Sequence, residues 1–316
     1  MLELISEHCC HGGSQRVYRH QSETIGLPMR FSVFLPAQVL RQWAGEGEPI
    51  RRFPALIYLA GLTCNEDTFM TKAGAQRLAA ARGLILVAPD TSPRDAGIQA
   101  ESTSWDFGVG AGFYVDATED PWSVHWRMES YVVRELFGIL TTVLPADANR
   151  VGIFGHSMGG HGALVLAQRH PRRFRSVSAF APICAPVQSP WGEKAFTGYL
   201  GPERNTWGAY DASALMRRQS RPPYPEGILV DQGLADKFLQ EQLKPEIFQQ
   251  ACESVLQPLI LRRHEGYDHG YFFITTFIED HIHFHASILA GAMRPLLTGG
   301  LQVRHDTPRP VHPPRH

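Results

Sequence analysis

The stretch Val151-Gly-Ile-Phe-Gly-His-Ser-Met-Gly-Gly160 decides how this chain is read. Val151, Ile153 and Phe154 make a short buried strand, and Gly160-His-Gly-Ala-Leu-Val-Leu-Ala-Gln-Arg169 has the composition of a helix. Gly155-His-Ser-Met-Gly159 is therefore a strand-to-helix corner. A serine at such a corner takes a strained backbone conformation that lifts its hydroxyl out of the sheet. The glycines two before and two after it let strand and helix approach. The helix N-terminus beyond it offers free backbone N–H groups, which suit an oxyanion better than a neutral carbonyl. Ser157 is the candidate nucleophile.

Working outward, the strand and helix patterns describe an α/β protein. Met29-Arg-Phe-Ser-Val-Phe-Leu35 alternates as an opening antiparallel strand does, and Pro36 to Arg41 reads as the turn that follows. Phe53 to Ala60 and Leu84 to Asp90 are continuous apolar runs suited to the middle of a sheet covered on both faces. The alanine-rich segment Thr71 to Ala81, stopped by Gly83, predicts the crossover helix that makes them parallel. A helix is expected from about Trp122 to Val143, further strands at Ser176–Ala181, Gly227–Asp231 and Pro258–Arg262, and helices at Lys244–Cys252 and Tyr271–Leu289. Thr91 to Asp120 is too long for a plain connector, and Pro182 to Pro225 reads as an insertion able to cap a site. The expected organisation is one domain over residues 1–296, with 182–225 as its cap-like segment. A proline-rich tail over 297–316 cannot build a core.

Composition narrows the function classes. A chain of 316 residues, 43% hydrophobic and with net charge -1, buries a full core and lacks the basic field that nucleic-acid binding needs. Its N-terminus carries acids where a secretory signal carries bases, and no apolar run reaches the length of a membrane span. Five cysteines, odd in number and without a C-x-x-C pattern, fit reduced thiols in a cytoplasm. Cys9, Cys10 and His11 are too cramped for zinc. His281, His283 and His285 resemble a metal tract, but only His281 and His285 share a helix face and no acidic third ligand accompanies them; a solvated face is expected.

A serine hydroxyl needs a base, and the base needs an acid to hold its tautomer. After the Ser157 corner the chain supplies an acid and then a histidine, the order of this hydrolase architecture. His269, in Glu265-Gly-Tyr-Asp-His-Gly270, lies in a polar loop between the last strand and the last helix and is the candidate base. His156 abuts the nucleophile but is expected to point elsewhere off the corner, His161 lies one turn into the helix, and His264 sits at a strand end. Asp236, in the loop beyond the strand that ends near Val230, is preferred to Asp231 as the acid. Asp268 is too close in sequence to reach the Nδ1 of its neighbour. The oxyanion donors expected are the backbone N–H groups of Met158 and, from Gly61-Leu-Thr-Cys64, of Leu62. Cys64 in that loop could let a thiol reagent block the pocket, although a plain buried cysteine fits as well.

Several longer blocks now carry a resemblance. Gly61-Leu-Thr-Cys-Asn65, Val87-Ala-Pro-Asp-Thr-Ser-Pro93, Gly112-Phe-Tyr-Val-Asp-Ala117, Gly155-His-Ser-Met-Gly-Gly-His-Gly162, Pro190-Trp-Gly-Glu-Lys-Ala-Phe196, Asp231-Gln-Gly233 and Glu265-Gly-Tyr-Asp-His269 resemble the esterase D family of S-formylglutathione hydrolases, from about Leu2 to Leu289. The resemblance implies an α/β-hydrolase fold with a mostly parallel sheet. It also implies a cytoplasmic, often dimeric enzyme that cleaves S-formylglutathione to glutathione and formate without a cofactor. By motif it assigns Ser157, Asp236 and His269 as the triad, Leu62 and Met158 as backbone donors, and thiol-reagent sensitivity to Cys64. General short-chain esterase or acyltransferase chemistry is the alternative, and a silent binding protein on the same scaffold a more distant one. Glutathione carries two carboxylates, one of which Lys72, Arg94 or Lys194 could meet, although a solvated surface charge fits each of them as well.

Overall fold

In the computed structural model, which describes residues 2–45, 51–99 and 101–291, the apolar runs of the sequence lie side by side in one nine-stranded sheet. Its strands are β1 (Glu3–Cys10), β2 (Gly13–Gln21), β3 (Pro28–Leu35), β4 (Phe53–Leu59), β5 (Ile85–Pro89), β6 (Ala146–His156), β7 (Ser176–Phe180), β8 (Ile228–Gly233) and β9 (Leu259–His264). Their order is β1-β2-β3-β5-β4-β6-β7-β8-β9. The first three pair antiparallel, β3 meets β5 antiparallel, and every pairing from β5 to β9 is parallel.

The physical reason is burial. β5 and β7 are buried along their whole length and β4 from Ala55 onward, as apolar runs without alternation require when helices cover both faces. The helix Tyr271–Leu289 packs across β6, β7 and β8 beside Gln76–Arg82. Side chains alternate across the sheet, so Ser176 and Ser178 face that helix while the helix Met158–Arg169 covers the opposite side. The chain runs from β4 to β5 in one direction and returns past β4 to β6 in the other. The loops after β4 and β6 thus part at the carboxyl edge, the switch point where open α/β sheets hold their ligands.

Several expectations are corrected. Pro36 caps a helix, Ala37–Trp43, where a turn was expected. The single helix over 71–81 is two, Glu66–Lys72 and Gln76–Arg82, parted where Gly74 takes φ +66° and a helix cannot continue. The helix expected from Trp122 begins at Met128; Trp122–Val124 is a separate 3-10 turn, and Tyr131–Leu136 is a π-helical middle before Phe137–Thr142. β1 has no counterpart in the expectations, because Glu3–Cys10 is an edge strand with most residues exposed and lacks an apolar signal. The expected tail over 297–316 lies outside the described residues.

Candidate active site

β6 ends at His156, and Ser157 follows at φ 58°, ψ −121°, in a region that costs a non-glycine residue about 1–3 kcal/mol. Its surroundings over-determine that conformation. The Ser157 N–H donates to the Phe180 carbonyl at 3.0 Å, and the Ser157 carbonyl accepts from the N–H groups of His161 at 2.9 Å and Ile183 at 3.3 Å. The flanking glycines are needed for space: a Cβ on Gly155 would lie 2.3 Å from the Gly159 carbonyl oxygen, and one on Gly159 would lie 1.9 Å from that of Leu59.

The loop after β4 faces this corner. A Cβ on Gly61 would sit 3.2 Å from the Ser157 Cβ and 3.3 Å from His156 Nδ1, so the two loops touch. Beyond Gly61 the chain turns through Thr63, at φ +66°, whose N–H donates to the Gly110 carbonyl at 2.9 Å; the Cys64 N–H donates back to Gly61 at 3.3 Å. Among the described residues, the Leu62 and Met158 N–H groups have no backbone acceptor, and both belong to segments bordering Ser157. The Met158 side chain is buried, and its Sδ accepts from the Phe113 N–H at 3.4 Å. The half-buried Cys64 thiol is pushed up by burial, against a weaker downward pull from Thr68 and Lys72.

β8 leads to Asp236, whose buried carboxylate accepts from the Phe238 N–H at 2.8 Å through Oδ1 and meets His269 Nδ1 at 2.5 Å through Oδ2. Asp231 belongs elsewhere. His264 Nε2 and His281 Nε2 each approach it at 3.3 Å, Arg262 clamps it with Nε and Nη2 at 2.6 and 2.5 Å, and these partners hold it far below the usual carboxylate range despite its burial. Asp268 turns to the Gly270 N–H at 2.9 Å. His161 reaches the Phe113 carbonyl at 3.1 Å and is held near about 4 by burial, while the His264 ring stacks on Phe277.

Two histidine expectations fail. His281 and His285 are fully buried, not on a solvated helix face: His285 Nδ1 meets Ser176 Oγ at 2.6 Å, and its Nε2 meets Ser178 Oγ, which also meets His281 Nδ1, both at 2.8 Å. The serines of β7 had given no apolar signal to pair with. His156 does not point away from the site: its ring centroid lies 4.4 Å from that of His269.

The long loop and the insertion wall the site with aromatics that single-residue reasoning did not find. Trp105 meets Trp191, Trp191 meets Phe238 at 4.7 Å, and Phe238 meets the His269 ring edge-on at 5.1 Å. Trp191 lies on the helix Pro190–Leu200 of the insertion. Of the three cations considered for glutathione, Lys194 is paired with Asp106 and Arg94 with Asp90, whereas Lys72 lies 5.6 Å over the Tyr271 ring, two residues beyond His269.

A serine elbow at the switch point of a mostly parallel sheet, with a carboxylate-bound histidine in the loop after the last strand, defines the class: an α/β-hydrolase of the esterase type. The family model described as "Putative esterase" matches residues 22–284. The S-formylglutathione hydrolase of Rattus norvegicus is 50% identical over 289 residues, 91% of this chain and 99% of the relative. That of Paracoccus denitrificans is 48% identical over 91% of this chain and 98% of its own. The solved structure of an S-formylglutathione hydrolase from Agrobacterium tumefaciens superposes with a TM-score of 0.85 at 44% identity, covering 91% of this chain and 99% of the other. A ferulic acid esterase at 20% identity and TM-score 0.64 shares the fold alone. The chain belongs to the esterase family, and within it to the S-formylglutathione hydrolases.

Proposed function

We propose that this protein is a serine thioesterase that hydrolyses S-formylglutathione to glutathione and formate, in the glutathione-dependent removal of formaldehyde. The observation that carries the reading is near-full-length identity of about one half to relatives of that name, joined to a strained serine facing the Gly61 loop and a 2.5 Å Asp236–His269 contact.

His269 takes the Ser157 proton on Nε2 as Oγ attacks the formyl carbon, and Asp236 on Nδ1 fixes the tautomer and stabilises the imidazolium. The oxyanion is received by the N–H groups of Leu62 and Met158, aimed where charge develops. The carbon–sulfur bond breaks, and the glutathione sulfur leaves with the proton from His269. Water then attacks the formyl ester with His269 again as base, formate departs, and the proton returns to Ser157. No step calls for a metal or cofactor.

Lys72 is the cation we assign to a glutathione carboxylate, supported by its place over Tyr271 and by the engagement of Arg94 and Lys194 with their own acids. We assign Cys64 no chemical role; burial keeps it a thiol, so a blocking reagent would act by bulk. We further propose one catalytic domain over residues 1–296 with 182–225 as its cap, working in the cytoplasm as a homodimer. One continuous hydrophobic core and five free cysteines support the domain and the reducing compartment, and no described helix is long and apolar enough to cross a membrane.

The test is kcat/KM for S-formylglutathione beside 4-nitrophenyl acetate, with a chelator present. Strong preference for the thioester, undiminished by chelation, is expected. Comparable or better ester hydrolysis would replace this reading by a general esterase.

A further inference from the structure

The acid bond at Nδ1 fixes one atom of the His269 ring and leaves the ring free to swing about it. Two other rings restrict that swing. Phe238 abuts it edge-on at 5.1 Å, and His156 lies at 4.4 Å with its plane tilted 46°. His156 is 6% exposed, and its Nε2 has no hydrogen-bond partner among the described residues. The polar contact of the ring is instead with the His269 main chain, which ties His156 to the residue that carries the base. The ring also touches the oxyanion loop, since Gly61 is bare where a Cβ would approach Nδ1 to 3.3 Å.

We propose that His156 is a positioning residue for His269: a neutral imidazole wall that fixes the plane of the base and keeps water from one of its faces. This rests on the esterase reading given above. The titratable groups around His156 are His269 and Tyr271, with Tyr58 and Cys64 beyond Tyr271 and Asp236 behind His269. Burial, followed by the neighbouring His269, drives the His156 imidazole well below its usual range, so it adds no charge beside the base when the base takes its proton.

The experiment compares His156→Ala, His156→Phe and His156→Gln in the full chain, on both S-formylglutathione and 4-nitrophenyl acetate, with kcat counted per site titrated by a fluorophosphonate. For His156→Ala the expected result is a fall in kcat of about 10- to 100-fold with KM nearly unchanged, because a misplaced base costs rate rather than binding. A planar replacement restores the wall, so either His156→Phe or His156→Gln should recover rate. A His156→Ala enzyme with unchanged kcat overturns the proposal, and so do planar variants both as slow as alanine. The loss should be common to both substrates. A wild-type enzyme that turns over only the ester removes the thioester reading, and the His156 comparison is then decided on the ester.

Discussion

Ser157 is held in its strained conformation by three main-chain hydrogen bonds, so its backbone does not depend on its side chain. Ser157→Ala should therefore fold normally and lose about 10⁴- to 10⁶-fold in kcat, read by steady-state kinetics beside an unchanged thermal midpoint. The two aspartates of the β8 region should separate in kind. Asp236→Asn leaves a hydrogen-bonding group beside His269 Nδ1 but favours the wrong tautomer, and a loss of about 10⁴ in kcat is expected with little change in stability. Asp231→Asn removes the charge that Arg262 clamps, leaving the part-buried guanidinium with Asp280 as its remaining acid. That should cost about 1–3 kcal/mol of stability in a denaturant titration, with kcat per folded molecule retained. If Asp231→Asn instead abolished turnover in folded protein, the choice of acid would be wrong.

At the scale of the element, strand–helix contact at the corner is limited by backbone atoms rather than side chains. Gly159→Ala would place a methyl carbon 1.9 Å from the Leu59 carbonyl oxygen, and the nearest groups are main chain that cannot rotate away. A loss of at least about 1–3 kcal/mol is expected, with lower activity because the corner carries Ser157. Gly138 is a useful contrast. It lies in the helix Phe137–Thr142, nothing stands within 4 Å of the position a Cβ would take, and Gly138→Ala should stabilise by about 0.5–1 kcal/mol through helix propensity. Denaturant midpoints of opposite sign would support both; Gly159→Ala as stable as wild type would show that strand and helix can part. The split of the expected 71–81 helix has the same kind of origin. An alanine-rich segment signals helix but not where a single positive-φ glycine, Gly74, interrupts it.

Across the whole molecule, the closing helix is tied to the sheet by imidazoles that must stay neutral. With His281 Nε2 donating to Asp231, its Nδ1 accepts from Ser178, Ser178 accepts from His285 Nε2, and His285 Nδ1 accepts from Ser176. Burial lowers both histidines, His285 well below the usual range. In the unfolded chain they return to about 6.5, so between that value and their folded values the unfolded state binds more protons. Their stabilisation is full above about pH 6.5 and is lost as the pH falls toward the folded values. Asp231, also depressed, adds a loss in the same direction below about pH 4. These histidines thus lower the thermal midpoint below pH 6.5, opposed by Glu66, whose carboxyl burial pushes up to about 7. His285→Phe should make the midpoint fall less between pH 7 and pH 5, and an equal fall would contradict the buried wire.

What the sequence determined by itself is whatever local chemistry writes into adjacent residues. The Gly155–Gly159 corner, the apolar runs of β4, β5 and β6, and the Tyr271–Leu289 helix all follow from spacing and from the absence of room for a side chain. The preference for Asp236 over Asp231 came from its place in a loop beyond the strand, where an acid can bend back toward His269. Only the tertiary structure decided what surrounds each group. It turned His156 onto His269, buried His281 and His285 against two serines of β7, and drew Trp105, Trp191 and Phe238 from three segments into one wall. Those outcomes depend on which faces meet across a sheet, and a polar side chain carries no mark in the sequence of whether its partner will be water or another buried residue.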